Sequence, residues 1–233
     1  MKTIRADSGP FATRPHFEPA EMDRTCVDEL RKAGLYPANP EPIRIDRFIE
    51  KRFGMTHDYE DLPPGLLGYT KFSKNGVERI VISRSLAEED SDTARRRERA
   101  TMAHEAGHGL LHAYLFALET PPPSLFGVEN CSGSQIPCRE VTDHQTPMRA
   151  KPSWSEYQAN RMIGGLLLPR GLVTKALQPY MVPAGELGGA VLDTTRRADA
   201  ERHIATIFDV NPVVARIRLN DIFAAENSGQ MLL

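Results

Sequence analysis

Three things are scarce in this chain, and each scarcity removes a class of function. Cysteine occurs only three times in 233 residues, at Cys26, Cys131 and Cys138. An odd, small number in a chain of this size makes no disulfide framework and fits a reducing compartment. Net charge is nearly absent, since 29 Lys and Arg against 31 Asp and Glu leave a formal −2; no basic excess advertises nucleic acid and no acidic excess marks a solvating tail. Long apolar runs are missing as well. The longest fall far short of the ~20 residues that span a bilayer, and Met1 to Asp7 has no apolar stretch behind its basic residues. The expectation is a cytoplasmic protein with no membrane partner and no standard secretion signal. No internal repeat is visible, and the length suffices for one large or two small domains with a proper core.

What is there reads mostly as helices. Residues 1–20 hold Gly9, Pro10, Pro15 and Pro19 among isolated aromatics, with no period of 2 or 3.6, so this segment is expected to be extended or disordered. From Glu21, the spacing of Met22, Cys26, Val27, Leu30 and Ala33 predicts a helix closed by Gly34 and Pro37, with Cys26 as a core residue. A second helix over Ile43–Phe53 stops at Gly54, suited to a left-handed cap. Leu66–Ser73 and Val77–Ser83 alternate like strands around Asn75-Gly76, a hairpin turn. Asp90-Ser91-Asp92 can cap a long helix that steps by three and four from Ala94 to Leu118, ending at Pro121. Arg95, Arg96, Arg97 and Arg99 in its first half read as a solvated face.

Residues 119–153 are an irregular, proline-rich excursion, and loops of that length are usually functional or mobile. A helix over Trp154–Leu168 follows, capped by Ser153 and ended by Pro169. A short helical piece, Leu172–Leu177, closes a domain spanning 21–180. Past a glycine-rich linker, Pro183–Gly189, a subdomain at 190–223 holds two helices, Ala198–Phe208 and Pro212–Phe223. The turn Asp209-Val210-Asn211 joins them and Asn211 is the expected cap. Residues 224–233 read as a flexible tail.

The chemistry concentrates in His104-Glu105-Ala106-Gly107-His108. Residues i and i+4 share a helix face, so two imidazoles can grip one zinc ion while Glu105, one position on, serves as the base for a water molecule. Gly107 and Gly109 each cost about 1 kcal/mol of helix propensity relative to alanine, which points to close packing or substrate access beside His108. A catalytic zinc needs a third protein ligand. His112 lies about 12 Å along the axis from His104 and roughly 80° round it, out of reach of the same ion; it could hold a ligand or meet substrate. Glu156 is the better candidate, but Ser153-x-x-Glu156 is also a capping box, and spacing does not separate the two roles. Glu140 and Asp143 are weaker alternatives. Asn160, one turn after Glu156, could orient it or buttress the metal helix. Cys131, Cys138 and His144 have no zinc-knuckle spacing and no evident fourth ligand, so ordinary loop thiols are expected there, not a second structural zinc. The terminal pair has helix-turn-helix proportions with Arg216 and Arg218 on its second helix; acidic neighbours dilute that charge, and 198–223 reads as a protein-docking surface or lid in preference to a DNA-binding unit.

His104-Glu105-Ala106-Gly107-His108-Gly109-Leu110-Leu111-His112, followed by Glu156-Tyr157-Gln158-Ala159-Asn160 and Leu166-Leu167-Leu168-Pro169, resembles the ImmA/IrrE family of metallopeptidases. The likeness covers about residues 40–223, with Gly164-Gly165 standing where such helices usually carry bulkier small residues. It implies an α+β, gluzincin-like zincin core with a small helical C-terminal extension, one catalytic zinc held by His104, His108 and Glu156, and Glu105 as general base. It also implies limited intracellular proteolysis. The typical substrate is a helix-turn-helix transcriptional repressor encoded nearby, in phage, mobile-element, toxin–antitoxin or stress-response settings. In gluzincin peptidases a strand near the metal helix can hold an extended substrate by edge pairing, so the Leu66–Ser83 hairpin is either a substrate rail or a cover for the core. Tyr157, His112, Tyr69 and His144 all have side chains suited to stabilising an oxyanion. The rival expectation is a non-proteolytic, zinc-containing regulatory module that binds a repressor or DNA; an intact Glu105 argues against it.

Overall fold

The computed structural model describes residues 2–5, 13–118, 135–139, 154–183 and 190–223. It is α+β, mostly helical, with a small mixed sheet. The chain starts with paired strands β1 (Lys2–Arg5) and β2 (Thr13–His16), antiparallel to one another. Over these residues the extended segment expected from the sequence takes the form of a two-stranded ribbon. Helix α1 (Pro19–Lys32) begins with a capping box between Glu18 and Glu21, and α2 (Ile45–Phe53) ends on Gly54 at φ 71°, a value that favours glycine. Cys26 is a fully buried core residue, its Sγ 3.5 Å from Met162 Sδ.

Strands β3 (Asp58–Glu60), β4 (Leu66–Ser73) and β5 (Gly76–Ser83) are joined in one sheet by β6 (Gln135–Arg139), in the order β3-β5-β4-β6. The pairing of β3 with β5 is parallel, the others antiparallel. The hairpin falls where Asn75-Gly76 put it. The excursion 119–153 is not wholly irregular, however, because β6 comes from it; proline at 137 conceals a strand from periodicity but is tolerated at a sheet edge. With β5 on one side and β6 on the other, β4 has no open edge among the described residues, so the hairpin is not a free rail. The rest of 119–153 and the tail 224–233 lie outside the described residues, as do Ser153, Glu140, Asp143 and His144.

A short helix, α3 (Arg84–Glu88), leads into α4 (Asp92–Leu118), on which the other elements are laid. Ser91 Oγ accepts the Ala94 amide at 3.0 Å and caps its start. The sheet packs on one side of α4 and α5 (Trp154–Leu167) on another. Gly107 explains the second contact. A Cβ there would stand 2.7 Å from Met162 Cβ, and one at Gly109 would stand 2.7 Å from Phe53 Cζ, so both glycines permit close packing. Helix α6 (Arg170–Ala176) follows α5, and β7 (Met181–Pro183) pairs with β8 (Ala190–Leu192), a ribbon that the low-contrast sequence around the linker did not reveal.

Helices α7 (Arg197–Phe208) and α8 (Pro212–Ile222) are joined at Asp209, which adopts a left-handed φ of 51°. Asn211 is extended but makes no side-chain cap. Two expectations about arginines change here. Arg96 and Arg99 are largely withdrawn from solvent while Arg95 stays exposed, and all three converge on the Asp209 carboxylate; Arg99 also donates to the Ile43 and Asp209 carbonyls at 3.0 and 3.2 Å. Arg218, only 2% exposed, crosses α5 at Gly164, where a Cβ would meet its Cδ at 3.0 Å. Its Nε donates to the Leu168 carbonyl at 2.9 Å and its Nη1 pairs with Asp23 at 2.8 Å. The neighbouring Gly165 leaves room for Cys26, whose Sγ a Cβ would approach to 2.5 Å. Of the two arginines assigned to a possible DNA face, Arg216 is at the surface and Arg218 is not.

Candidate metal centre

Helical spacing places His104 and His108 one turn apart on the buried face of α4, with their Nε2 atoms 2.9 Å apart. Across from them α5 presents Glu156, whose carboxylate oxygens lie 3.3 Å from His104 Nε2 and 3.2 Å from His108 Nε2. One ligand atom from each residue falls within 4.8 Å of the others. Among the described residues this is the one cluster of three or more His, Cys, Asp or Glu side chains arranged to hold an ion. Glu156 is therefore turned to the histidines, although it also sits in the first turn of α5, where a carboxylate favours the helix dipole.

The surrounding hydrogen bonds decide where the protons are. Asn160 Oδ1 stands 3.1 Å from His104 Nδ1; a carbonyl oxygen only accepts, so Nδ1 carries the hydrogen and Nε2 a lone pair. Gln158 Oε1 likewise accepts from His112 Nε2 at 3.0 Å, leaving His112 Nδ1 to accept from His108 Nδ1 at 2.9 Å. His108 Nε2 is then also a lone pair. Two imidazole nitrogens and two carboxylate oxygens thus converge with no proton between them. Four acceptors so close repel unless a proton or a metal ion joins them, and a metal ion would use that same donor set.

Charge states agree. Burial pushes His108 down to about 4 against the favourable carboxylate of Glu156, and burial followed by the neighbouring His108 lowers His112 to about 3. Without an ion, a proton on either ring takes its place: burial would raise Glu156, but hydrogen bonding to His104 and His108 outweighs it and holds the carboxyl at about 2. Neutral imidazoles beside an ionised carboxylate are in the protonation states that ligate a metal.

Glu105 sits beside this cluster and is fully buried. Thr70 on β4 donates to Glu105 Oε2 at 2.6 Å and approaches the Glu105 carbonyl at 3.1 Å. Glu105 Oε1 has no hydrogen-bond partner among the described residues. A Cβ at Gly68 would lie 2.8 Å from the Val81 carbonyl oxygen, 2.9 Å from Thr101 Cγ2 and 3.4 Å from that oxygen, so glycine lets β4 pack closely against the helix that carries Glu105. Burial raises the Glu105 pKa from 4.5 to about 7, despite opposing contributions from His104 and the Thr70 hydroxyl. A base with that affinity is suited to proton transfer near neutral pH.

The other expected residues divide. His112 does not reach the ion site; it is buried, holds His108 and contacts Trp154 edge-on with centroids 5.3 Å apart, which removes it from contact with substrate. Asn160 orients His104, not Glu156. Tyr157 is 54% exposed on the groove between α5 and α8. Tyr69 donates to Glu60 at 2.9 Å and is committed there. The side chains of Cys131, Cys138 and His144, and with them the question of a second zinc, lie outside the described residues. Thr70, Gly68 and Gln158 were missed. Thr70 and Gly68 fall on one face of a strand whose other residues there are apolar, and a buried hydroxyl in that position was the available signal.

No helix among the described residues is long and apolar enough to cross a membrane. No protein-family model matches the sequence, and a search of curated proteins finds no match.

Proposed function

We propose that this chain is a zinc-dependent endopeptidase with a gluzincin-like core, a metal-assisted peptide hydrolase. One observation carries the reading: two imidazoles and a carboxylate, from His104, His108 and Glu156, converge as a metal-holding set beside a buried carboxylate, Glu105, that has one oxygen without a hydrogen-bond partner among the described residues. A site holding a cation for structure alone needs no such base. Two histidines and a glutamate suit zinc, which leaves a position open when three protein groups bind it. Bound there, zinc would supply Lewis acidity, acidifying a water molecule and polarising a carbonyl.

The chain's own residues have separable tasks. Glu105 takes the proton of the attacking water on Oε1 and returns it to the departing amide nitrogen, so the C–N bond breaks as the new C–O bond forms. Thr70 fixes Oε2 and prevents the carboxylate from swinging towards the histidines. Asn160 and the Gln158–His112 pair hold both imidazoles in the tautomer that aims Nε2 at the ion. Burial of the cluster excludes bulk water and strengthens each of these interactions.

The resemblance to ImmA/IrrE peptidases, carried by the His104–His112 and Glu156–Asn160 segments, supports a cytoplasmic setting and a helix-turn-helix repressor as substrate. One observation favours a second reading. Strand β6 fills the outer side of β4, the strand whose Thr70 bonds Glu105, which would suit a zinc-containing regulatory module that binds a repressor or DNA without cutting it. Co-expression of candidate repressors with wild type and with Glu105→Gln separates the two. Fragments that appear only with wild type mean proteolysis, while relief of repression by both, without fragments, means binding and sinks the peptidase assignment.

A further inference from the structure

Strand β4 connects the sheet to the base. Its Thr70 holds Glu105, and its Gly68 lets β4 pack closely beside Glu105, where a Cβ would stand 2.9 Å from Thr101 Cγ2 and 3.4 Å from Glu105 Oε1. The outer side of β4 is paired in antiparallel register with β6, placing Ile136 opposite Thr70 and Cys138 opposite Gly68. Strand β6 also lies against α4, the helix that carries Glu105.

We propose that residues 135–139 occupy, in cis, the strand position through which an extended peptide reaches Glu105, so that a substrate enters by displacing β6. The inference rests on the peptidase reading for its consequence, but the strand exchange is a binding event that can be measured without cleavage. Geometry selects this edge of the sheet. Neighbouring strands are about 4.8 Å apart, so a peptide in the β6 position lies one spacing from Thr70, whereas a peptide added beyond β3 lies three spacings away, about 14 Å. The β3 edge cannot deliver a carbonyl to Glu105.

Composition makes β6 replaceable. It is five residues long, and Pro137, opposite Tyr69, has no amide hydrogen. An incoming extended peptide without proline can offer the same antiparallel ladder with one more donor. Main-chain pairing is indifferent to side-chain identity, so the occupant this surface fits is any unfolded or extended segment of a protein chain, with selectivity left to side-chain contacts.

The test uses full-length, zinc-loaded chains bearing Glu105→Gln, so that a bound peptide stays intact. In one of them residues 135–139 are replaced by Gly-Ser-Gly-Ser-Gly; a milder version carries Ile136→Pro alone. The probe is a fluorescein-labelled nonapeptide copying Gly133 to Val141, titrated by anisotropy, with hydrogen exchange followed across Gly68 to Lys71. Binding at least tenfold tighter to the replaced chain than to its parent, with slowed exchange in β4, is the expected result. The Ile136→Pro chain should fall between them. Equal affinity for all three chains, no binding to any, or binding that leaves β4 exchange unchanged overturns the proposal. Casein hydrolysis by the same chains with Glu105 restored tests the other layer. Tight peptide binding without hydrolysis leaves the strand exchange standing and removes the peptidase reading; hydrolysis without differential binding does the reverse.

Discussion

Glu105→Gln is a test of stability as well as of cleavage, because Glu105 is a buried acid whose ionisation works against the metal-free fold. Burial raises its pKa from 4.5 to about 7. The native state therefore holds its proton more tightly than the unfolded chain, and stability must fall as pH rises through the interval between those values. At pH 5 the penalty relative to a permanently neutral side chain is about 1 kcal/mol, and at pH 8 it reaches about 3 kcal/mol, from roughly 1.4 kcal/mol per pKa unit. Glutamine does not titrate, so the variant lacks this decline. Any fixed cost of fitting its amide against Thr70 and the uncommitted position at Oε1 is the same at both pH values and cancels. The depressed His108 and His112 are common to both proteins and cancel as well. The measurement is urea unfolding of wild type and Glu105→Gln in EDTA at pH 5 and pH 8. The stability difference should move in the variant's favour by about 2–3 kcal/mol between the two. Adding zinc should shrink the shift, since a cation beside Glu105 favours its ionised form. A difference that stays flat within about 0.5 kcal/mol would refute the uncompensated burial of Glu105.

Three further outcomes follow from the same geometry. His112→Leu removes the acceptor that holds the His108 tautomer while leaving all three ligands in place, and should weaken zinc binding by about 10- to 100-fold, measured by competition with a chelator. Gly107→Ala gains about 1 kcal/mol of helix propensity but drives a Cβ to 2.7 Å from Met162 Cβ, where overpacking costs about 1–3 kcal/mol. Net destabilisation in urea is expected, and a clear gain would show that α4 and α5 can separate freely. Arg218→Met removes the buried partner of Asp23, which is part-exposed and keeps Arg170 at 3.6 Å, and leaves the Leu168 carbonyl without its donor; it should cost about 1–3 kcal/mol, and a thermal midpoint within about 2 °C of wild type would contradict the clasp across Gly164.

Legibility in the sequence tracked the range of the physics involved. His104, Glu105 and His108 were readable because helical spacing alone places them together, and Gly54 and Asn75-Gly76 because a turn's backbone demands are local. Glu156 could be nominated but not separated from a cap, since the choice depends on which way α5 faces α4, a property of packing. Thr70 and Gly68 act on Glu105 from 35 or more positions away and carry no local signature. The arginines of α4 were misread for the same reason: their counter-charge, Asp209, is more than 100 residues downstream. Strand β6 was hidden by its own proline and by the irregular composition around it.

The Asp209 clasp also bears on how this chain can be divided or recombined. Three arginines of the helix that carries His104 converge on one carboxylate at the α7–α8 corner, and Arg218 returns the connection through α5 to α1. A graft of residues 190–223 onto another protein would bring an aspartate with no arginines to receive it, and a truncated core would keep Arg96 and Arg99 without that carboxylate, Arg95 retaining only Asp92. The helical pair is inherited together with the helix that carries His104 or not at all, which makes it part of the same frame and a poor candidate for an exchangeable targeting module.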